Sequence, residues 1–531
     1  MLLLLTLMTL AADPAADVAV VCPKEYRAAL TPWLEHRRSQ GHVVELLESS
    51  ATAAELQTKI RAVAAGGKLT HIVLVGDADV PRNQGFRPAT VPTFKTKAEV
   101  TVKFGSEPEI AADNPYADLD DDGLPDVSIG RLSVDRPDQL ADVVRKIIAY
   151  ETQHDHGPWR QRVNLVAGVG GFGALVDGTI EMTAKKFLCD SVPASYSTTM
   201  TYGSWRSPYC PDPRRFQDSV VEKFNEGSLF WVYIGHGSPE RLDRIHVPGA
   251  AYPILDQRDV IKLDCQHGSP IAVMLACYTG AFDFPRECLA EEMLRLPGGP
   301  VAVLAGSRVT MPYAMAVLSN TMIDECFQNH PKTLGEIVLR AKRRSVESSK
   351  PVEAPAEGES LKIDNRQLLD TLGKLLSPKP ELLDKERKEH LALFNLLGDP
   401  LLRVAYPDEV KLEMPEDIAA GKTLPLKITS PLAGKCTVQL VCRRDCLTFD
   451  TPSRPEFSLQ DASLSALQSV YQRANDHRFL EHVVTITPGS FDADLAVPAN
   501  AKGACHVRVF IQGKDRHAQG AADVYVRKAK P

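Results

Sequence analysis

Apolar residues in the first part of the chain alternate between short continuous runs and longer runs at helical spacing. Residues 17–22, 42–47 and 71–75 are short and rich in apolar or β-branched side chains, which is typical of buried strands. Residues 23–40 and 53–65 instead carry apolar side chains at helical spacing, which predicts helices. The resulting β-α-β-α-β order predicts a parallel sheet covered by helices.

A second α/β pattern follows a surface excursion over residues 78–126 that is rich in Pro, Asp and Gly. The pattern predicts strands at 163–167, 229–234, 271–275 and 301–304. It predicts helices at 177–189, 213–225 and 288–295. We therefore predict two α/β subdomains, at residues 17–157 and 158–406. Within the second, residues 345–390 are dominated by Lys, Glu, Ser and Pro, and we interpret them as a charged insertion that is helical or flexible.

The hydrophobic pattern changes beyond Pro407. Short alternating runs such as 423–428, 436–441 and 507–511 are separated by Pro and Gly, with little helical periodicity. Alternation with a period of two is typical of strands that have one buried face. The sequence therefore predicts an all-β sandwich over residues 407–531.

Composition and charge narrow the class of protein. Of the 531 residues, 44% are hydrophobic and 24% are charged, as in an ordinary soluble globular protein. The 61 basic and 68 acidic residues give a net charge of −7, so no nucleic-acid partner is predicted. The 11 cysteines, an odd number, include no CxxC pair. We expect structural thiols or a disulfide, rather than a metal site, in the C-terminal group Cys436, Cys442, Cys446 and Cys505.

The N-terminal segment predicts export. Residues 1–12 consist of Leu, Met, Thr and Ala and lead into the small residues of 13–16. We interpret residues 1–16 as a secretory signal peptide that lacks the usual basic start, with a buried N-terminal strand as the alternative. No other segment has the ~18 apolar residues that a membrane span needs. The mature protein is therefore expected to be secreted or periplasmic.

Two predicted strands end in residues that can carry chemistry. The strand at 229–234 leads into His236 and Gly237, and the strand at 271–275 leads into Cys277. Reactive side chains in open parallel sheets lie just beyond the carboxyl ends of the strands, and neighbouring strands are ~4.8 Å apart. His236 can therefore serve as acid/base for a Cys277 nucleophile, while the amides of Gly237 and Cys277 stabilise an oxyanion. Taken singly, a hydrogen-bonded loop His or a small buried Cys is the more ordinary interpretation.

A hydrophobic strand that ends in His-Gly, followed by one that ends in Ala-Cys, resembles the cysteine peptidase clan of caspases, legumain, clostripain and the gingipains. The gingipain family is favoured by the order and spacing of further segments, namely 73–77, 129–131, 276–280, 288–291, 301–307 and 394–400. The resemblance covers residues 17–405. It implies a caspase-like parallel-sheet catalytic domain in two subdomains, and it suits an immunoglobulin-like fold for the C-terminal sandwich.

The same resemblance implies roles for individual residues. Cys277 corresponds to the nucleophile, His236 to the general acid/base, and the amides of Gly237 and Cys277 to the oxyanion hole. Members of the family cleave peptide bonds in proteins or peptides, the best-studied ones after a basic residue, and catalysis requires no cofactor. The acidic residue that the family places near its catalytic His is absent from the matching loop at 168–173.

The predicted substrate pocket departs from the family pattern. Asp177 and Glu181 are the carboxylates nearest to the position of the pocket acid, and solvated acids at a helix start are the alternative interpretation. By resemblance Tyr313 lines the pocket, whereas Met311 replaces a polar residue and Arg308 adds a positive charge. Strict selectivity for Arg or Lys therefore does not follow from the sequence.

Two other chemistries are disfavoured. Gly168, Gly170 and Gly173 match the dinucleotide-binding pattern G-x-G-x-x-G, but the acidic residue expected at the end of the next strand is missing. A serine hydrolase would need a G-x-S-x-G elbow, which the sequence lacks, because Ser238 directly follows the His-Gly pair.

An aspartate-rich turn predicts a structural calcium site. Asp118, Asp120, Asp122 and Asp126 place carboxylates around a turn-forming glycine, and Ca²⁺ prefers such hard oxygen ligands. The bidentate Glu of a full calcium loop is missing because Ile129 stands in its place. A solvated Asp-rich turn is therefore the alternative.

Taken together, these features predict a secreted cysteine endopeptidase that acts through a thioester acyl-enzyme. Two alternatives stay open. One is a non-catalytic protein that uses the same pocket to bind protein or carbohydrate, and the other is a transpeptidase that resolves the thioester with an amine.

Overall fold

A ten-stranded sheet forms the centre of the structure, a computed structural model that describes residues 15–78, 89–153, 155–169, 191–349, 364–454 and 456–528. Its strands in chain order are β1 (Val18–Val21), β2 (Val44–Leu47), β3 (His71–Val75), β4 (Ser128–Leu132), β5 (Arg162–Ala167), β6 (Ser197–Tyr202), β7 (Phe230–Ile234), β8 (Ile271–Leu275), β9 (Ala302–Gly306) and β10 (Phe394–Leu397). Their order in space is β2-β1-β3-β4-β10-β9-β8-β7-β5-β6.

Every neighbouring pair in this sheet is parallel except β9 and β10. β10 pairs in parallel with β4 of the first predicted subdomain and antiparallel with β9 of the second. The two predicted α/β subdomains therefore share one continuous sheet. The parallel α/β catalytic fold predicted from the sequence is confirmed.

Helices cover both faces of the sheet. Val18 and Val20 of β1 belong to one hydrophobic cluster, and Ala19 and Val21 belong to another. Both faces of a parallel strand are normally buried in this way. Apart from two single-turn helices at Asn114–Ala117 and Gln257–Val260, the described α-helices of this part are α1 (Arg27–Ser39), α2 (Ala53–Ala64), α3 (Pro137–Thr152), α4 (Phe216–Asn225), α5 (Leu289–Arg295), α6 (Pro312–Asp324), α7 (Leu334–Val346), α8 (Asn365–Leu376) and α9 (Leu383–Leu393).

Most predicted elements agree with these bounds, but the helix predicted at 177–189 lies outside the described residues. The described part of the charged insertion is helical, because α8 and α9 occupy most of residues 364–393. These helices bury Leu369, Leu383 and Leu391, so they pack onto the catalytic fold. Among the described helices, none is both long enough and apolar enough to cross a bilayer.

The C-terminal part is a β domain of two packed sheets. Its strands are β11 (Asp408–Glu409), β12 (Lys411–Glu413), β13 (Asp417–Ala419), β14 (Thr423–Ser430), β15 (Gly434–Cys442), β16 (Arg478–Ile486), β17 (Gly489–Ala496), β18 (Gly503–Gln512) and β19 (His517–Arg527). One sheet has the order β11-β19-β18-β15-β16, with β13 also on β19, and the other has the order β12-β14-β17. Side chains from both sheets share one hydrophobic cluster, which gives the predicted sandwich its core.

A helix that was not predicted from the sequence interrupts this β domain. α10 (Asp461–Ala474) carries buried apolar side chains at helical spacing. The Tyr471 hydroxyl lies 2.8 Å from the Thr201 hydroxyl on β6. The Asn475 amide both accepts from the Met200 N–H at 2.7 Å and donates to the Met200 carbonyl at 3.0 Å. α10 and the residue that follows it therefore attach the β domain to the edge strand of the ten-stranded sheet.

A buried charge network joins the centre of the sheet to the covering helices. Asp399 follows β10, and its carboxylate lies 2.5 Å from the guanidinium of Arg37 on α1, with both side chains fully buried. Trp33 donates its indole N–H to the same carboxylate. Arg37 also pairs with Glu151 of α3 at 2.8 Å. Breaking a buried pair by removing one charge is costly because the other charge stays desolvated.

We therefore predict that Asp399→Asn lowers the free energy of unfolding by about 3 kcal/mol, since Arg37 loses one of its two buried counter-charges. Urea denaturation followed by circular dichroism measures the change. Asp138→Asn is the control, because Asp138 pairs with Arg136 at the surface, and it should leave the unfolding midpoint unchanged. Equal effects of the two substitutions would contradict this account of the network.

Candidate active site

Cys277 and His236 follow neighbouring strands at the same edge of the sheet. β7 and β8 pair in parallel, with Ile234 opposite Leu275. Each candidate residue lies two positions beyond its strand. Equal offsets from paired residues bring the two side chains to the same carboxyl edge, which is where open α/β sheets bind their ligands.

The loops that carry these two residues are in contact. A Cβ atom at Gly237 would lie 2.7 Å from the carbonyl oxygen of Cys277 and 2.8 Å from Cγ2 of Thr279, so only glycine fits there. The Tyr233 hydroxyl donates to the carbonyl oxygen of His236 at 2.7 Å and ties that loop to its own strand. The His236 side chain is exposed and Cys277 is half-buried, so both are open to a substrate.

The thiol rests on the segment that follows β9. The Thr310 N–H donates to Sγ of Cys277 at 3.3 Å, and the Thr310 hydroxyl oxygen lies 3.6 Å from the sulfur. Tyr278, directly after the thiol, has a φ of +59°. This left-handed conformation costs about 1–2 kcal/mol for a non-glycine residue. The Tyr278 N–H donates to the carbonyl of Arg308 at 3.0 Å, which holds the bend in place. Thr310 was not predicted as a site residue, and its only signal in the sequence is its position just beyond β9.

α5 supports the active-site loops from behind. The Ala290 N–H donates to the carbonyl oxygen of Thr279 at 3.0 Å. Glu291 of the same helix is fully buried and accepts a 2.7 Å hydrogen bond from the Ser133 hydroxyl. Burial and the nearby Asp77 carboxylate raise the pKa of Glu291 well above its ordinary value, which favours the neutral acid. The family-like segments 73–77 and 288–291 therefore meet behind the site.

A carboxylate lies close to the histidine loop, although the glycine loop supplies none among its described residues. The Asp243 N–H donates to the Tyr233 hydroxyl at 3.3 Å, the same hydroxyl that holds His236. The Oδ2 atom of Asp243 would lie 3.7 Å from a Cβ atom at Gly168. Sequence reasoning missed Asp243 because it stands in an irregular segment that belongs to no motif.

The residues assigned to the substrate pocket are only partly described. Tyr313 donates its hydroxyl to Asp370 of α8 at 2.8 Å, and its ring packs against Gly373 of that helix. The Met311 N–H points toward α9 and donates to His390 at 2.9 Å. The predicted pocket acids, at positions 177 and 181, lie outside the described residues.

The expectation that Arg308 adds a positive charge to the pocket is wrong. Arg308 is buried and makes two hydrogen bonds of 2.8 and 2.6 Å to the carboxylate of Asp283. Burial alone would raise the pKa of Asp283, yet the hydrogen bonds and charge of Arg308 lower it. Asp283 is shared with Lys95, and the carboxylate of Glu107 lies 3.6 Å from Arg308, so two carboxylates compensate the two positive charges of this cluster. The sequence does not show this pairing, because the partners are on different loops.

Comparison with known proteins settles the family. Residues 11–405 match the model described as peptidase family C25. The chain belongs to peptidase family C25. This membership confirms the resemblance to the gingipain family of cysteine peptidases.

The relatives of this C25 chain are distant. Lys-gingipain of Porphyromonas gingivalis is 24% identical over 289 residues, which cover 52% of this chain and 15% of that relative. The chain therefore spans only a small part of the length of the curated relatives it matches. The crystal structure of the Arg-specific cysteine proteinase gingipain R has a TM-score of 0.54 at 17% identity and covers 97% of this chain and 98% of that chain. A complex of the RgpB pro- and mature domains from Porphyromonas gingivalis has a TM-score of 0.53 at 17% identity, covering 96% and 100%. These structural matches establish a shared fold.

The aspartate-rich turn of this C25 chain gathers three of its four predicted metal ligands. One carboxylate oxygen each from Asp118, Asp120 and Asp126 lies within 4.8 Å of the others. Oδ1 of Asp118 is buried without a hydrogen-bond partner among the described residues. Asp122 is not part of the group, and its carboxylate instead accepts from the Leu124 N–H at 2.7 Å. Three oxygens with one lacking a partner suit a hard cation.

Accessibility separates Cys277 and Cys446 from the other described thiols of this C25 chain. All ten described cysteines are free, eight are buried, and only Cys277 and Cys446 are half-buried. Burial raises the pKa of Cys210 and Cys326 to about 12. Burial and the neighbouring Asp445 also raise the pKa of Cys446. These three thiols are therefore protonated and poorly nucleophilic near neutral pH.

We predict that iodoacetamide alkylates the native protein fastest at Cys277, because this thiol is accessible and lies at the carboxyl edge of the sheet. Intact-protein mass followed by peptide mapping identifies the modified residue. Cys277→Ala should remove the fast phase, and Cys446→Ala should leave it unchanged. A fast phase that persists in Cys277→Ala would assign the reactive thiol elsewhere.

Proposed function

We propose that this protein is a cysteine endopeptidase in which Cys277 is the nucleophile and His236 is the general acid/base. The parallel register of β7 and β8 carries the proposal, because it brings both residues to one edge of the sheet. Membership of family C25 supports the peptide bond as the target.

The proposed reaction is acyl transfer in two halves. The Cys277 thiolate attacks the carbonyl carbon of the scissile bond, and the amides of Gly237 and Cys277 stabilise the oxyanion. The His236 imidazolium then protonates the amine as the C–N bond breaks, which leaves a thioester. In the second half the neutral imidazole takes a proton from water, the resulting hydroxide attacks the thioester, and the C–S bond breaks to release the acid.

We further propose that the substrate carries a basic residue before the scissile bond. The names of the relatives, Lys-gingipain and Arg-specific gingipain R, support this preference. The neutralised charge of Arg308 removes one objection to a basic side chain in the pocket. We propose Asp177 and Glu181 as the acidic residues of the substrate pocket, and Tyr313 and Met311 as residues that line it.

Export is part of the same proposal. The apolar N-terminal segment at residues 1–16 supports a secreted or periplasmic location. We expect its substrates to be proteins or peptides outside the cytoplasm, and we expect catalysis to need no cofactor.

We predict that a peptidyl acyloxymethyl ketone with Arg or Lys at P1 labels the wild-type protein once and does not label Cys277→Ala. His236→Ala should reduce the labelling rate about 100-fold or more, because acid/base catalysis typically contributes ~10²–10⁴-fold. Intact-protein mass provides the readout, and circular dichroism shows that both variants fold.

Two further measurements separate the alternatives. A probe with Asp or Leu at P1 is the specificity control, and faster labelling by either would contradict the basic preference. Product masses from a peptide digested with an added amine distinguish hydrolysis from transpeptidation. A folded wild-type protein that takes no probe of any P1 type would favour the non-catalytic binding protein.

We also propose a structural calcium ion at the aspartate-rich turn, held by Asp118, Asp120 and Asp126. The support is the close approach of the three carboxylates and the buried Asp118 oxygen that has no partner among the described residues. Bound calcium would neutralise the repulsion between these carboxylates and hold the turn.

We predict that calcium raises the thermal unfolding midpoint of the wild-type protein by several degrees over a chelator-treated sample. Asp120→Asn should abolish this calcium-dependent shift, because it removes a charged ligand from an exposed position. Asp122→Asn is the matched control, since Asp122 lies outside the group and should keep the shift. Differential scanning calorimetry with and without calcium measures this shift. A wild-type unfolding midpoint that does not change with calcium would contradict the proposed site.

A further inference from the structure

Helix α9 places two buried polar side chains against the backbone beside the nucleophile. We call residues 310–314 the active-site wall, because its first residue, Thr310, donates to Sγ of Cys277 at 3.3 Å. Glu386 and His390 lie one helical turn apart and are only 4% and 2% exposed. Both side chains therefore point into the protein interior, although their segment has the composition of a charged insertion.

His390 accepts the backbone N–H of Met311. The distance from the Met311 nitrogen to Nε2 is 2.9 Å, and Nδ1 lies 2.7 Å from the carbonyl oxygen of Glu386. Because a carbonyl oxygen can only accept, Nδ1 carries the proton and Nε2 keeps its lone pair. Burial lowers the pKa of His390 to about 4, so the imidazole is neutral and able to accept near neutral pH.

Two more bonds hold the rest of the wall. The Ala314 N–H, in the first turn of α6, donates to a carboxyl oxygen of Glu386 at 3.0 Å. Such N–H groups have no partner inside their own helix, so Glu386 satisfies one of them. Tyr313, between the two held amides, donates to Asp370 of α8 at 2.8 Å. Helices α8 and α9 thus hold three of the five wall residues.

The wall and the thiol are mechanically connected. Thr310 and Met311 are adjacent, so a shift of the Met311 N–H also moves the Thr310 N–H that contacts Cys277. A buried N–H without a partner is unfavourable, and the chain would move to find another acceptor. Acyl transfer is sensitive to such movement, because a displacement of ~1 Å at a reacting group can cost ~100-fold in rate.

We propose that His390 is a positioning residue for peptide substrates, which acts by holding the Met311 N–H and thereby the wall beside Cys277. The inference rests on the proposed function and deepens it. The imidazole bonds to backbone groups at Met311 and Glu386, so it acts on the site through the wall.

His390→Gln and His390→Asn form a matched pair of variants. The Gln side-chain oxygen can occupy the place of Nε2 and accept from Met311, whereas the shorter Asn reaches only the place of Nδ1. His71→Asn is the control for loss of a buried imidazole. His71 also has its pKa lowered to about 4 by burial, but it lies on β3 and contacts the hydroxyls of Thr70 and Thr333.

Two readouts test the proposal in the full-length protein. Amide hydrogen exchange over residues 310–314 reports whether the wall is held. The second readout compares two labelling rates. A basic peptidyl acyloxymethyl ketone must bind against the wall before it inactivates the thiol, whereas iodoacetamide alkylates the thiol without binding to the wall.

We predict that His390→Asn accelerates exchange over the wall and slows the peptidyl probe about tenfold or more, whereas alkylation by iodoacetamide, which senses only the contact between Thr310 and the thiol, slows by a clearly smaller factor. His390→Gln should stay within about threefold of wild type for both reagents. His71→Asn should leave the ratio of the two rates unchanged, even where it lowers the unfolding midpoint.

Other outcomes would contradict the role proposed for His390. Unchanged exchange over the wall in His390→Asn, or equal effects of the Asn and Gln variants, overturns the proposal. A parallel fall of both labelling rates assigns His390 to general stability instead. If the wild-type protein takes no peptidyl probe, the proposed function fails, and the exchange data alone then show whether the imidazole holds the wall.

Discussion

The parallel pairing of β7 with β8 is the constraint on which the site depends. Both strands are interior to the sheet, and their register sets His236 and Cys277 at equal offsets beyond the same edge. Because side chains alternate between faces, a slip of one residue would exchange every inward and outward position on a strand. The close fit of Gly237 against the Cys277 carbonyl adds a second restraint on this register. The chemistry of the loops therefore depends on the hydrophobic core beneath them.

Buried ion pairs join the pieces around that sheet. Arg37 with Asp399 connects α1 to the strand that unites the two halves, and Arg308 with Asp283 fixes the loop beneath the thiol. Desolvation offsets much of the attraction in such pairs, so their net contribution to the free energy of unfolding is small compared with the cost of breaking one. Their partners are nevertheless specific, which restricts the ways in which the loops can pack. We infer that these pairs contribute more to the arrangement of the site than to its stability.

Two elements outside the parallel sheet take part in the catalytic fold. α9 supplies acceptors for the wall beside the thiol, and Asn475, directly after α10 of the β domain, pairs with Met200 on the edge strand β6. Arg444 of the β domain also donates to backbone carbonyls at Val192 and Tyr196 of the catalytic part. An edge strand leaves backbone groups without partners, so these contacts cover part of a surface that could otherwise associate with another strand.

The sequence by itself determined most strands of the α/β fold, several of its helices and the two catalytic candidates, because hydrophobic periodicity and strand ends are local properties. It missed the helices α6, α7 and α10 and the buried pairing of Arg308, and it gave no sign that His390 reaches Met311. It also grouped Asp122 with Asp118, although backbone bonds in the turn direct the Asp122 carboxylate elsewhere. Each of these features depends on which distant or irregular segments pack together. Local periodicity reports whether a residue is buried, whereas only the tertiary structure decides which partner it is buried against.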